Sequence, residues 1–163
     1  FPGHRLPENL GPLLSRPGIS APVVNGCEYS PALGVPSVHI DNAAASRDAV
    51  EHLIELGHRD IGIITGPLIS PISHDRLSGV VDAAERHGLR DRLQVRTGDY
   101  SAMVAFEQSG DLLAHKVTAI FCFSDEMAMG AISSAVSAVL SPGMHISMPS
   151  GRVMAPVTSV VRK

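Results

Sequence analysis

The stretch Ile61-Gly62-Ile63-Ile64-Thr65 is almost wholly apolar and runs straight into Gly66-Pro67-Leu68-Ile69-Ser70. A short apolar run bounded by turn residues reads as a strand covered on both faces, as in parallel sheets. Two further runs repeat the pattern. Leu93–Thr97 (LQVRT), the weakest of the three, breaks into Gly98-Asp99-Tyr100, and Ala119–Phe123 (AIFCF) breaks into Ser124-Asp125. A helix-like stretch follows each break, and strands alternating with helices of this length predict βαβ units on one parallel sheet. Ligands of such sheets bind beyond the carboxyl ends of the strands. The three break points therefore define one rim, and candidate functional residues are sought there.

Working outward, Asp41-Asn42 starts a predicted helix from Ala43 to Leu56, with Ala49, Val50, Leu53, Ile54 and Leu56 on its apolar face. Gly57 stops it. A second helix is expected from about His74 to His87, with Leu77, Val80, Val81 and Ala84 inward. A third is expected from about Ser101 to His115 through Met103, Phe106, Leu112 and Leu113. The fourth begins at Ser124 or Asp125 and reaches about Leu140. Prolines crowd the first 36 residues, where Pro22–Asn25 reads as a short buried strand and Ser37–Ile40 as another. Residues 141–163 offer no strand of the usual length.

Composition narrows the function classes. Hydrophobic residues at 44% and charged residues at 18% describe a globular chain. A net charge of −3 supplies no general attraction to nucleic acid or anionic membrane, and 4% aromatics argues against a stacking platform for single strands. No apolar run is long enough to span a membrane, and the first residues lack the pattern of a secretory signal. A cytoplasmic setting follows as the expectation, with Cys27 and Cys122 as buried free thiols. The eight histidines show no HxH or HExxH spacing, and neither a GxGxxG nor a GxSxG motif follows a strand. No metal, cofactor or enzymatic reaction is implied.

On the rim, Arg76 opens the second helix, where a guanidinium suits bidentate contacts to hydroxyls, carboxylates or phosphates; the alternative is an ion pair with Asp75 or Asp82. Ser70 and Ser73 supply hydroxyls from the preceding loop. Tyr100 offers an aromatic face to a ring or else belongs to the core. Asp99 and Asp125 read as helix caps, and Ser124 as a cap or a ligand contact. Gly79, inside a helix, marks a close approach of either a neighbouring helix or a ligand.

Four ordered segments then carry a resemblance: VHIDNAAASRDAVEHLIELGHRDIGIITGP, RLSGVVDAAERHGL, GDYSAM and AIFCFSDEMAMGA. Together they resemble the effector-binding core of lactose/galactose-repressor family regulators over about residues 20–140. The segment EYSPALGVPSVHIDN looks most like the cytidine-repressor branch. The resemblance implies a periplasmic-binding-protein-like α/β fold, with one doubly wound parallel-sheet lobe and part of a second closing on a sugar or nucleoside. It implies that Arg76, in the RLxG motif, clamps ligand hydroxyls, that Tyr100 stacks on the ligand, and that Ser124 lines the cleft. Ser70 and Ile72 match ligand-contacting loop positions.

By the same resemblance, residues 1–42 are a remnant of the N-terminal lobe and crossover, 43–140 the C-terminal-lobe core, and 141–163 an atypical tail. The helix 43–56 is assigned to the core or against the other lobe. The implied role is the sensory part of a bacterial transcriptional repressor, a homodimer whose operator contacts belong to a headpiece absent from this chain. The alternative is a transport-type periplasmic sugar-binding protein. The family's late ligand-clamping Asp has no counterpart after Asp125, and most of one lobe has none either, so weak or undetectable ligand binding by this stretch alone is expected.

Overall fold

A computed structural model describes residues 22–27 and 34–140. In chain order these form β1 (Asn25–Gly26), β2 (Ser37–Val38), α1 (Asn42–Glu55), β3 (Ile61–Thr65), α2 (Pro71–Arg86), a 3-10 turn (Arg90–Arg92), β4 (Leu93–Thr97), α3 (Ala102–Ala114), β5 (Ala119–Cys122) and α4 (Asp125–Leu140). The expected tail, 141–163, lies outside the described residues.

The three apolar runs form one parallel sheet of order β4-β3-β5. Ile61 pairs with both Leu93 and Ala119, and Thr65 with Thr97, so the three carboxyl ends lie together. Side chains of a strand alternate between faces. A Cβ on Gly62 would touch the Leu112 side chain of α3, and Ile64 lies near Gly98 and Met127 of α4; the even positions of β3 therefore face α3 and α4. Ile61, Ile63 and Thr65 point the other way and are equally buried, which leaves α1 and α2 as their cover. Burying each such isoleucine contributes about 1.5–3 kcal/mol, so the central strand anchors both layers. The chain leaves β3 towards one face and β5 towards the other. This reversal opens a crevice beyond their carboxyl ends.

Each helix pair meets where a side chain is missing. A Cβ on Gly79 of α2 would sit 2.0 Å from the Ala43 carbonyl oxygen of α1, and one on Gly130 of α4 would sit 2.1 Å from that of Ala102 in α3. Gly79 thus serves helix packing rather than ligand approach. Val50, Leu53 and Ile54 of α1 enter the same core cluster as Ile61, Ile63, Ile64, Val80 and Leu112, so α1 belongs to this layered unit.

Several expectations need correction. The segment around Val24 is not a buried strand: β1 is two residues long, pairs in parallel with β2, and Val24 is 58% exposed. Helix α2 starts three residues before His74, because Pro71 occupies its first turn, where a missing N–H costs nothing. Leu56, expected on the apolar face of α1, is exposed. Cys27 is exposed, while Cys122 is a partly buried free thiol whose burial pushes its pKa up to about 12.

Candidate functional site

The rim is built from three short connections: 66–70 after β3, 98–101 after β4, and 123–124 after β5. The ladder continues one residue into two of them, with Gly98 N donating to Thr65 O at 2.8 Å and Phe123 N to Ile64 O at 3.0 Å. These bonds fix the start of each connection against the end of β3.

Tyr100 occupies the left-handed region with φ 70°, a conformation that costs a non-glycine residue roughly 1–2 kcal/mol. The turn that imposes it is held by Asp99, whose Oδ1 accepts from Ser101 N (2.9 Å) and Ser101 Oγ (2.6 Å). Ser101 Oγ in turn caps α3 by accepting from Val104 N. The Tyr100 ring is thereby laid across Gly66, where a Cβ would fall 2.1 Å from its Cζ. Its Oη lies 2.8 Å from Ser73 Oγ, in the first turn of α2.

Arg76 stands one turn further along α2 than Ser73. Its Nε donates to Asn42 Oδ1 at 2.8 Å, and its Nη1 donates to the Phe123 carbonyl at the end of β5. Asp82, one of the two expected acidic partners, pairs instead with Arg47 (3.3 Å) and Arg86 (3.0 Å). The residue after Phe123 is Ser124, whose Oγ accepts from Met127 N at 3.2 Å and caps α4. Tyr100, Ser73, Arg76 and Ser124 thus follow one another across the crevice through direct bonds and one helical turn. The structure brings together three of the five expected positions.

The other two sit deeper. Ser70, the residue preceding α2, is 1% exposed, and its Oγ has no hydrogen-bond partner among the described residues. Ile72 is 5% exposed and contributes its side chain to the interior rather than to the rim. Thr65, the last residue of β3, is likewise fully buried with an unpartnered Oγ1. Sequence reasoning passed over Thr65 and Asn42. Strand-end position could have flagged the first, but the second is tied to Arg76 only by folding. Among the described residues no cluster of His, Cys, Asp and Glu could hold a metal ion, and no helix is long and apolar enough to cross a membrane.

Residues 50–142 match the model of the periplasmic binding protein-like domain. The chain belongs to that family. It is 44% identical over 118 residues to the HTH-type transcriptional repressor CytR of Escherichia coli (strain K12), covering 70% of this chain and 34% of the repressor. Among solved structures, a LacI transcriptional regulator from a Rhodococcus species superposes with TM-score 0.74 at 34% identity, over 84% of this chain and 50% of that one. A dimeric Lac repressor with a C-terminal deletion superposes with TM-score 0.62 at 29% identity, over 72% of this chain and 43% of that one. The chain therefore spans about a third of the length of the curated repressor it matches. The relatives are LacI-family transcription regulators rather than enzymes or transport proteins, and the matched region is homologous to their effector-binding domain.

Proposed function

We propose that this chain is the effector-sensing unit of a cytoplasmic transcriptional repressor that takes a sugar or a nucleoside at the carboxyl rim of β3, β4 and β5. Operator DNA is reached through a separate headpiece. The observation that carries the reading is the fixed succession Tyr100–Ser73–Arg76–Ser124 across the crevice. Two of the five N–H donors of Arg76 are engaged by Asn42 and Phe123, which leaves three for ligand hydroxyls. The Tyr100 ring, packed partly against the core and over Gly66, gives an aromatic surface at the same rim, and Ser124 a hydroxyl after the end of β5. Ser70 and Thr65 supply buried hydroxyls at the ends of the elements that form the rim, and Ile72 is a buried apolar residue of the first turn of α2. A ligand that presents several hydroxyls around a ring fits this set.

Calorimetric titration with cytidine, adenosine, D-ribose and D-galactose tests the reading. One of them binds wild type, weakly and above micromolar Kd, and Arg76→Ala weakens it further by about one to two decades, the worth of a hydrogen bond to a charged group. Binding that is indifferent to Arg76→Ala refutes the site.

The reading includes a homodimer formed through the outer face of α3 and α4. Met103 (73% exposed), Phe106 and Met129 (67%) line a shallow groove there, and Ile132 and Val136 of α4 are exposed as well. Such a contiguous apolar surface marks an interface, and one structural relative is a dimer. Sedimentation of wild type against Met129→Lys checks it: the variant is monomeric where wild type is dimeric. A dimer unaffected by the lysine places the interface elsewhere.

A further inference from the structure

We infer that Asn42 is a positioning residue for effector binding, holding Arg76 in its rim orientation from the first turn of α1. Asn42 is 3% exposed, although an asparagine at a helix start ordinarily faces water. Capping does not explain its burial, because the cap is Asp41, whose Oδ1 accepts from Ala44 N at 2.9 Å. Its amide is instead used at both ends. Oδ1 accepts from Arg76 Nε at 2.8 Å, across 34 residues of chain, and Nδ2 donates to Ile40 O at 3.2 Å. The two bonds together fix which amide atom faces the arginine.

The consequence for Arg76 is geometric. A guanidinium on a long side chain has many rotamers, and ordering it on binding costs affinity. Asn42 on one side and the Phe123 carbonyl on the other hold two edges of the planar fork, so its remaining donors are aimed before the ligand arrives. Gly79 reinforces this by letting α2 approach the start of α1 closely enough for a short asparagine to reach Nε. Ile40 lies in the segment leading from β2 into α1, so the same amide ties that segment to the ligand-contacting arginine. A change in the path of residues 37–41 would reach Arg76 through a single side chain.

The inference rests on the effector reading of Arg76, and its test separates the two. Asn42→Ala removes the acceptor, whereas Asn42→Asp keeps it and is favourable in the first turn of a helix. The Arg76 side-chain Nε–H resonance in arginine-labelled protein is the ligand-independent readout. It is sharp and protected in wild type and Asn42→Asp, and exchange-broadened in Asn42→Ala. Titration with cytidine, adenosine, D-ribose and D-galactose is the second readout. For whichever probe wild type binds, Asn42→Ala weakens binding roughly tenfold and Asn42→Asp stays within a few-fold of wild type. A merely structural asparagine would change melting temperature without this split. An unchanged Arg76 resonance in Asn42→Ala, or equal loss of affinity in both variants, overturns the inference. If wild type binds no probe, the effector reading fails, and the resonance alone still decides whether Asn42 holds Arg76.

Discussion

The two ends of the parallel sheet are built from similar residues and finished in opposite ways. At the amino end, Arg92 Nε donates to Asp60 Oδ1 at 2.9 Å while its Nη2 takes Oδ2. The hydrogen bond and charge of Asp60 hold the Arg92 guanidinium above its usual pKa range. Thr118 N and Oγ1 both donate to Asp60 O, and His58 Nδ1 lies 3.0 Å from Thr118 Oγ1. These residues staple the starts of β3, β4 and β5 to one another. At the carboxyl end, Thr65 and Ser70 bury hydroxyls that have no partner among the described residues, Tyr100 is held in a strained conformation, and Arg76 leans on a carbonyl and an amide. An end built only for stability would satisfy its buried polar groups. The difference teaches that the amino end holds the sheet, while the carboxyl end carries strain that a ligand site can use.

The largest way to break this contrast is Gly66→Val. Its Cβ would collide with the Tyr100 ring at 2.1 Å, displacing the ring and its bond to Ser73. A loss of about 1–3 kcal/mol in chemical denaturation is expected, together with loss of effector binding. A variant as stable as wild type would show that the ring is not pinned there.

Asp60→Ala sharpens the contrast from the other end. It removes a solvent-exposed bidentate pair, which contributes little to stability, so denaturation midpoints fall slightly while ligand affinity is untouched. Reduced affinity in this variant would join the two ends functionally and dissolve the distinction.

The smallest effect concerns Cys122, the last residue of β5. Burial raises its pKa to about 12, so the folded state keeps the proton that an unfolded thiol releases near pH 8.5. Stability from this group is complete below that value and is lost as pH rises through about 12. Cys122→Ala should flatten the alkaline decline seen in pH-dependent denaturation. At neutral pH a thiol reagent should label exposed Cys27 quickly and Cys122 slowly. Equal labelling rates would contradict the buried placement.

How much of this was legible in the sequence follows from range. Ile61–Thr65 read correctly because a strand covered on both faces must be apolar at nearly every position, and all five of its residues are buried. Ala119–Cys122 read correctly from its unbroken apolar run, although it is only partly buried. Leu93–Thr97 was the weakest of the three because its positions are half-buried or exposed, which tolerates Gln94 and Arg96, whereas the other outer strand, β5, is apolar throughout. Leu56 was grouped with the apolar face of α1 but is exposed, because apolar periodicity cannot say whether a face meets the sheet or another surface. Val24 failed for a related reason: a two-residue pairing covers too little area to bury it. At the site, Arg76 and Tyr100 were legible from residue type and from their place after a strand. Asn42 was not, because its partner lies 34 residues away and only the Gly79 contact between helices brings them together.

The central claim, that the carboxyl rim and not the amino end receives the effector, is tested most directly by mapping backbone amide shifts during titration with the probe that binds best. The account predicts shifts at 65–70, 98–101 and 123–124, none at 58–60, 92 or 118, and their disappearance in Arg76→Ala. Shifts centred on the amino end or on the outer face of α3 and α4, or a pattern that survives Arg76→Ala, would contradict it.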